Sequence, residues 1–342
     1  MLDNALPLKH NNTMATQLTT EMTCTGCNKI AKKNGRDRND NQRYSCAICK
    51  KTFTAPRTKT LGNMYLPEDK ALMCLQLLVE GMSIRSIERV TDINRNTIMS
   101  LLEVVGKKCL WIQENLVKDV KVKFVQADEI WSFIQMKDKA KHAREIENDK
   151  VGSAYTFTCI DADSKLIVGW HLGRRTEQDA LIFLEKIYRA IDGGTKQFQI
   201  STDGWRGYDH TVNEVLGAKA HFGQIIKMYG TPNPNEVRYS AAECIGCKKR
   251  TVSGNPVKEK ISTSHVERAN LTMRMAMRRF TRLTNGFSKK WDNHNYTLAL
   301  HFAHYNFCRS HGTLSGATPA MAANLTKTIW TLKDLLSVAT HI

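Results

Sequence analysis

Residues 124–134 read Phe-Val-Gln-Ala-Asp-Glu-Ile-Trp-Ser-Phe-Ile, an apolar run that carries two consecutive acids. The alternation of apolar and polar residues that begins at Val120 predicts a β-strand, because successive side chains of a strand point to opposite faces. Asp128 and Glu129 are therefore expected on opposite faces, so that at most one of them points into a given site. An acid inside an apolar strand is rarely a solvated surface group, which makes Asp128 a candidate functional residue.

The chain beyond this strand alternates between strand-like and helix-like periodicity, which predicts an α/β domain over residues 118–325. The predicted strands are 151–160, 166–172 and 198–202, with a hairpin turn at 161–164, and the predicted helices are 176–191 and 264–283. Asp203 directly follows a predicted strand, and Glu267 lies early in the long basic helix. Residues 229–260, rich in glycine, proline, lysine and asparagine, predict an insertion, and residues 326–342 are expected to form a tail.

The region before this domain, residues 61–110, predicts three helices. Ser83 and Asn94 precede the second and the third helix and are suited to cap them, because their side-chain oxygens accept hydrogen bonds from the first free N–H groups. This arrangement is typical of a helix-turn-helix DNA-binding domain, whose last helix enters the major groove. The residues assigned to base edges are Arg95, Asn96 and Thr97. A three-helix packing domain with solvated polar ends is the alternative interpretation.

Cysteine pairs near the N-terminus predict a zinc site. The short basic module at residues 21–60 contains two C-x2-C pairs, formed by Cys24, Cys27, Cys46 and Cys49. Zn2+ favours four thiolates in a tetrahedron, and the module has too few large apolar residues to fold without a metal. Its lysines and arginines favour DNA contact over protein docking, and those assigned to phosphates are Arg36, Lys50, Arg57 and Lys59. Cys244 and Cys247 form a third pair, which either belongs to a second zinc site or stays as free thiols.

The charge of the whole chain limits its partners. Its 342 residues carry a formal net charge of +17, which favours a polyanion such as nucleic acid or an anionic membrane. No apolar run approaches the roughly 18–20 residues that span a bilayer, and the N-terminus lacks the apolar core of a signal peptide, so no membrane partner is expected. Residues 1–20, polar and aperiodic, are expected to be a disordered leader. In a reducing cytoplasm the ten cysteines are expected as thiols or metal ligands.

Three acids, Asp128, Asp203 and Glu267, predict a metal site for phosphodiester chemistry. Breaking or joining a phosphodiester requires charge neutralisation on both the attacking and the leaving oxygen, which two Mg2+ (or Mn2+) ions about 3.5–4 Å apart supply. Carboxylates are the hard oxygen ligands that such ions prefer. Taken singly, Asp203 could begin an Asp-Gly turn and Glu267 could be an acid at a helix N-terminus. Together with a DNA-binding front end, the three acids favour catalysis.

Two stretches and the order of the modules resemble a known family. Residues 262–291, STSHVERANLTMRMAMRRFTRLTNGFSKKW, and residues 298–311, LALHFAHYNFCRSH, are similar to bacterial insertion-sequence transposases of the insertion-sequence-one family. The resemblance extends over about residues 21–322. It implies a ribonuclease-H-like core with a mixed five-stranded sheet, in which the same two aspartates and one glutamate are catalytic.

The resemblance also implies roles in the basic helix. Arg274 corresponds to the basic residue that such enzymes often place two turns after the glutamate, and His265 either orients the acids or simply packs. The arginines suited to DNA phosphates are Arg268, Arg278 and Arg279.

The implied reaction is attack on a phosphodiester, first by metal-activated water and then by a DNA 3′-hydroxyl. The implied partners are double-stranded transposon ends and target DNA, in the bacterial cytoplasm at the nucleoid. A homodimer or higher oligomer is expected, because two ends must be brought together. A ribonuclease-H-like nuclease without strand transfer is one alternative, and a non-catalytic DNA-binding regulator derived from a transposase is another.

Overall fold

The computed structural model describes residues 22–38, 41–54, 60–191, 195–230, 244–281 and 284–338. The chain divides into two compact units, residues 1–59 and residues 60–342. The predicted leader at 1–20, the proposed phosphate contacts Arg57 and Lys59, and residues 231–243 of the predicted insertion lie outside the described residues.

The smaller unit is built on a three-stranded antiparallel sheet. Its strands, in the order β1-β2-β3, are β1 Lys32–Arg36, β2 Gln42–Ser45 and β3 Thr52–Thr54. Among the described residues of this unit, only Cys24, Ala31 and Cys46 are buried. So small an apolar core does not offset the entropy lost when the chain becomes ordered. The stability of this unit is therefore expected to depend on its cysteines.

The larger unit contains a six-stranded mixed sheet. Its strands are β4 Phe124–Ile134, β5 Gly152–Asp161, β6 Ile167–Gly173, β7 Phe198–Asp203, β8 Ala220–Tyr229 and β9 Cys244–Ser253. The order is β6-β5-β4-β7-β8-β9, in which β7 runs parallel to both β4 and β8 and the remaining pairs are antiparallel. A mixed sheet of this order, flanked by helices, is compatible with a ribonuclease-H-like fold.

The expectation of five strands was wrong, because the sixth strand arises inside the predicted insertion at 229–260. Strand β9 pairs with β8 from Phe222↔Ser253 to Tyr229↔Cys244. Most of its residues are exposed, which is the pattern of a strand at the edge of a sheet rather than of a loop. Because this strand contains consecutive lysines and an arginine, it lacks the apolar alternation from which strands are predicted.

The larger unit also contains the helices. They are α1 Glu68–Val79, α2 Ile84–Thr91, α3 Arg95–Asn115, α4 Asp138–His142, α5 Glu177–Ala190, α6 Tyr208–Leu216, α7 Ser264–Ala276, α8 Trp291–Ala303, α9 Pro319–Ala322 and α10 Leu332–Ser337. The predicted caps of α2 and α3 are present: Ser83 Oγ accepts from the Ser86 N–H at 3.1 Å, and Asn94 Oδ1 accepts from the Asn96 N–H at 2.9 Å. No helix in the described ranges is long and apolar enough to cross a membrane.

Helix α7 is shorter than the predicted helix 264–283. It ends at Ala276, and Met277 takes an extended conformation (φ −130°, ψ 112°) before a single 3-10 turn at Arg278–Phe280. This break turns both Met277 and Phe280 into the core, where they are 3% and 5% exposed. Burial of these two side chains outweighs the helical propensity of the sequence.

Helices α1–α3 belong to the same compact unit as the sheet. Helix α3 continues beyond the predicted boundary at residue 110 and packs against α8. Gly106 allows the close approach, since a Cβ atom at this position would lie 2.4 Å from Tyr296 Cβ. The three helices thus begin where the sequence predicts, but the last of them runs to Asn115, past the predicted end of the module, and is part of the core of the larger unit.

The two faces of the sheet are covered by different helices. Trp170 on one face contacts a phenylalanine of α8, with ring centroids 5.2 Å apart. Phe157 on the other face contacts a phenylalanine of α5 at 5.5 Å. Through the register of β4, β5 and β6, Asp128 belongs to the face of Trp170 and Glu129 to the face of Phe157.

Candidate metal-binding site

Three acids converge where β7 ends beside β4. Asp128, Glu129 and Asp203 each offer a carboxylate oxygen, and these oxygens lie within 4.8 Å of one another. The prediction that at most one of Asp128 and Glu129 points into a given site was therefore wrong. Their side chains do leave opposite faces of β4, but the pairing of β4 with β7 stops at Gln126↔Ser201. Since β7 ends two residues later, the Asp203 side chain can be reached from both faces.

Asp128 is the acid held on the side of helix α7. Its Oδ2 accepts a hydrogen bond of 2.8 Å from Asn270 Nδ2. Burial, and then the charges of Asp203 and Glu267, raise the pKa of Asp128 to about 7. The Oδ1 atom of Asn270 is buried and has no hydrogen-bond partner among the described residues. This pairing makes Asn270, which shares a face of α7 with Glu267, the residue that orients Asp128.

Glu129 is almost completely buried on the other face, with a side chain only 2% exposed. Its Oε2 accepts a hydrogen bond of 3.2 Å from Arg175 Nε. Its Oε1 is buried without a well-aligned hydrogen-bond partner in the part of the chain that the structure describes, although the buried Tyr208 hydroxyl lies close enough to the carboxylate to lower its pKa. Burial, and then the charge of Asp203, raise the pKa of Glu129 to about 8.

Asp203 lies between the two faces, and its side chain is 35% exposed, against 2% for Glu129. Its Oδ1 accepts a hydrogen bond of 2.9 Å from the Trp205 N–H, within the turn that follows β7. Its Oδ2 lies 3.5 Å from Arg175 Nη2. The Arg175 guanidinium lies over the Trp205 ring at 5.1 Å, so one arginine contacts two acids and an aromatic face.

Glu267 lies beside this cluster on the first turn of α7. Its Oε1 accepts a hydrogen bond of 2.6 Å from Lys227 Nζ, in strand β8, and a second one from the Thr263 hydroxyl. Burial lowers the pKa of Lys227, but the hydrogen bond to Glu267 outweighs that effect and the net change is upward. The charge of Glu267 contributes to the raised pKa of Asp128, which places the two acids in the same electrostatic environment.

His265 is directed toward the hairpin between β5 and β6. Its Nε2 lies 3.1 Å from Lys165 Nζ, and its backbone N–H donates to Gln126 Oε1 at 2.7 Å. Burial and the charge of Lys165 lower the pKa of His265. The backbone contact anchors α7 to β4, and the two predicted roles of the His265 side chain stay predictions.

The predicted phosphate contacts around α7 differ in exposure. Arg268 and Arg278 are exposed, and Arg274 is half-buried in the last turn of α7. Arg279 instead donates through Nη1 to the Asn293 carbonyl at 2.8 Å and to a serine hydroxyl at 3.2 Å. Burial lowers the pKa of Arg279 to about 10. Its guanidinium therefore serves contacts inside the unit.

The four cysteines of the smaller unit form a second candidate metal site. One sulfur atom from each lies within 4.8 Å of the others, and the closest pairs are 3.4 Å (Cys24 and Cys49) and 3.5 Å (Cys27 and Cys46). Tetrahedral zinc with bonds of about 2.3 Å places sulfurs about 3.8 Å apart, so the set can hold zinc with a small adjustment. A backbone N–H from Cys49 lowers the pKa of Cys46 to about 6, which favours the thiolate.

The remaining predicted residues occupy surface positions. In the smaller unit, Arg36 and Lys50 are exposed. In the larger unit, Arg95 and Asn96 are exposed at the start of α3 and Thr97 is half-buried; Arg95 Nε lies 2.9 Å from Glu88 Oε2.

The third cysteine pair lies on β9. Cys244 and Cys247 are exposed, with sulfurs 3.9 Å apart. Within the described ranges no third histidine, cysteine or acid joins them to form a metal site.

Sequence reasoning missed Glu129, Arg175 and Lys227. The signal for Glu129 was present in the Asp-Glu dipeptide, but strand alternation argued against using both acids. Arg175 and Lys227 lie far from the acids in sequence and have no motif of their own. Only the neighbouring strands bring them to the site.

Comparison with known proteins adds little to this description. No protein-family model matches the chain, and no curated protein sequence matches it. Among solved structures, the chain is similar to one in the crystal structure of a pre-cleavage Mos1 transpososome, at 10% sequence identity and a TM-score of 0.20. The similarity covers 43% of this chain and 57% of that chain. A TM-score this low does not establish a shared fold, so the function has to be inferred from the site itself.

Proposed function

We propose that this chain is a DNA transposase, a metal-dependent enzyme that binds transposon ends and catalyses DNA cleavage and strand transfer. The observation that carries the proposal is the acidic cluster, in which oxygens of Asp128, Glu129 and Asp203 lie within 4.8 Å of one another. Hard oxygen ligands in such a cluster suit a pair of Mg2+ or Mn2+ ions. The net charge of +17 supports a polyanionic substrate.

The proposed ligands are Asp128 and Asp203 of this cluster together with Glu267, which lies outside it and pairs with Lys227. Bound ions would lower the pKa of an attacking water and neutralise charge on the leaving oxygen. The residues fit this role, because the raised pKa of Asp128 reflects buried negative charge that a divalent cation would offset. Asn270 holds one oxygen of Asp128, and Lys227 holds one oxygen of Glu267.

The exposed arginines around α7 are proposed to grip the DNA backbone. Arg268 and Arg278 are accessible for bidentate bonds to phosphate, and Arg274 is proposed to act beside the scissile phosphate. Arg279 is the weakest of the predicted phosphate contacts, since its guanidinium donates to groups inside the unit.

End recognition is proposed to use both front modules. Arg95 and Asn96, at the first turn of α3, would read base edges, while Arg36 and Lys50 of the cysteine module would contact phosphates. Joining of two ends in one complex would require at least a dimer.

Amide substitutions test the proposal. Asp128→Asn, Asp203→Asn and Glu267→Gln keep the shape of each side chain but remove the charge that holds the ions. Each variant should bind end DNA like the wild type and lose cleavage and joining in Mg2+. Glu185→Gln is the matched control, because Glu185 is exposed on α5 and pairs with Arg189. Near-normal joining by any of the three variants would show that its residue is misassigned.

The same assay separates the alternatives. Nicking without joining of pre-cleaved ends would indicate a nuclease, and end binding without Mn2+-dependent nicking would indicate a regulator.

A further inference from the structure

Glu129 is a buried acid that the proposed two-aspartate, one-glutamate set does not use. Its side chain is 2% exposed, yet one of its two carboxylate oxygens, Oε1, has no hydrogen-bond partner among the described residues. An ionised carboxylate in this environment is costly unless a positive charge and hydrogen bonds compensate it. Glu129 is therefore a buried acid with incomplete compensation, and its carboxylate lies within 4.8 Å of those of Asp128 and Asp203.

Without a metal ion, one arginine partly offsets the negative charge of the acidic cluster. Arg175 contacts Glu129 Oε2 at 3.2 Å and Asp203 Oδ2 at 3.5 Å. When Asp128, Glu129 and Asp203 are all ionised, this single guanidinium leaves most of their charge uncompensated. Lys227, whose charge lowers the pKa of Asp128, is itself hydrogen-bonded to Glu267 Oε1 at 2.6 Å.

The position of Arg175 allows its guanidinium to be displaced by a bound cation. Its side chain is 38% exposed and lies over the Trp205 and Tyr155 rings at 5.1 and 6.0 Å. An arginine on aromatic faces can keep that stacking while its charged end moves toward solvent or a phosphate.

We propose that Glu129 is a further metal ligand, which holds a Mg2+ or Mn2+ ion together with Asp128 and Asp203, and that Arg175 supplies the counter-charge there until the ion binds. The all-oxygen donor set selects a hard divalent cation, since softer metals favour nitrogen and sulfur ligands. The inference rests on the proposed function, because the ion serves the same site, but ion binding can be measured without DNA.

The test is Mn2+ titration of the full zinc-loaded chain, with free Mn2+ followed by electron paramagnetic resonance. Glu129→Gln should weaken the binding of one ion by about 10- to 100-fold or more, the range seen even for residues that only support metal ligands. Arg175→Ala should have the opposite effect and tighten binding, because it removes a competing positive charge. Glu185→Gln and Arg189→Ala, which break an exposed ion pair on α5, should bind Mn2+ like the wild type.

Equal Mn2+ affinity in Glu129→Gln and the wild type would overturn the proposal. Unchanged affinity in Arg175→Ala would overturn the part assigned to Arg175. Glutamine has the shape of glutamate without its charge, so the metal-free variant should melt at or above the wild-type temperature. Loss of folding would show that Glu129 serves only to pair with Arg175, which also overturns the proposal. If Glu129→Gln weakens Mn2+ binding but the wild-type chain neither cuts nor joins DNA, the metal ligand stands and the proposed function fails.

Discussion

Asp128→Asn should stabilise the metal-free protein at neutral pH, and this gain should disappear in acid. Burial and two neighbouring acids raise the pKa of Asp128 from its ordinary 3.8 to about 7 in the folded chain. At 1.36 kcal/mol for each pKa unit, the difference corresponds to about 4 kcal/mol. Because the folded state binds this proton more tightly than the unfolded state, the wild-type free energy of unfolding falls as the pH rises from 3.8 to about 7. Because asparagine does not titrate, the free energy of unfolding of Asp128→Asn does not fall over this pH range for this reason.

Tryptophan fluorescence during urea unfolding, without Mg2+ or Mn2+, measures the effect in the relevant unit. All six tryptophans lie within residues 60–342, so the smaller unit does not contribute to the signal. The difference in unfolding free energy between Asp128→Asn and the wild type should grow by about 4 kcal/mol between about pH 4 and pH 8. Glu185→Gln, in an exposed pair, should show no such growth. A difference that stays constant over this range would refute the reasoning.

Three further changes test other parts of the molecule. Cys24→Ser should release one zinc ion per chain, measured by atomic absorption, without changing the tryptophan signal of the larger unit; a wild-type protein free of zinc would contradict this. Gly106→Ala should destabilise the larger unit by about 1–3 kcal/mol in urea unfolding, because the added methyl group meets Tyr296, and an unchanged midpoint would contradict the close packing of α3 on α8. Arg95→Ala should cost about 1–3 kcal/mol at particular base pairs, whereas Arg36→Ala should weaken binding to all duplexes and lower the salt slope by roughly one. Identical behaviour of these last two variants on end and scrambled duplexes would exclude the start of α3 as the reader of sequence.

Helices were predicted correctly where a capping residue or a clear hydrophobic periodicity marks where they begin. Ser83 and Asn94 begin α2 and α3 as expected, and the helix predicted at 176–191 is α5, capped by Thr176. Capping and hydrophobic periodicity depend only on residues that are close together in the sequence, so they can be recognised without the structure. Strand β9 and the end of α7 at Ala276 were missed for the opposite reason. An exposed edge strand carries no apolar period, and the break after α7 depends on core packing.

The site was predicted less completely than the fold around it. Strand alternation correctly assigns Asp128 and Glu129 to opposite faces of β4, but it does not say where the neighbouring strand ends. That end, at Asp203, decides that the two side chains reach the same third acid. The contacts of Arg175 and Lys227 likewise depend on strand order rather than on spacing in the chain.

Strand β9 also determines how the sheet ends. It is the last strand in the order and has no partner on its outer side among the described strands. The backbone groups of such an edge can pair with a strand of another molecule. Lys248, Lys249 and Arg250 lie exposed along it, and only Arg250 pairs with one of the described acids, Asp209, so two copies of this edge brought together would face each other with an excess of positive charge. The repulsion makes self-association through the edge unfavourable. The basic side chains that removed the apolar alternation of β9 therefore also disfavour the pairing of β9 with a β9 strand of another molecule.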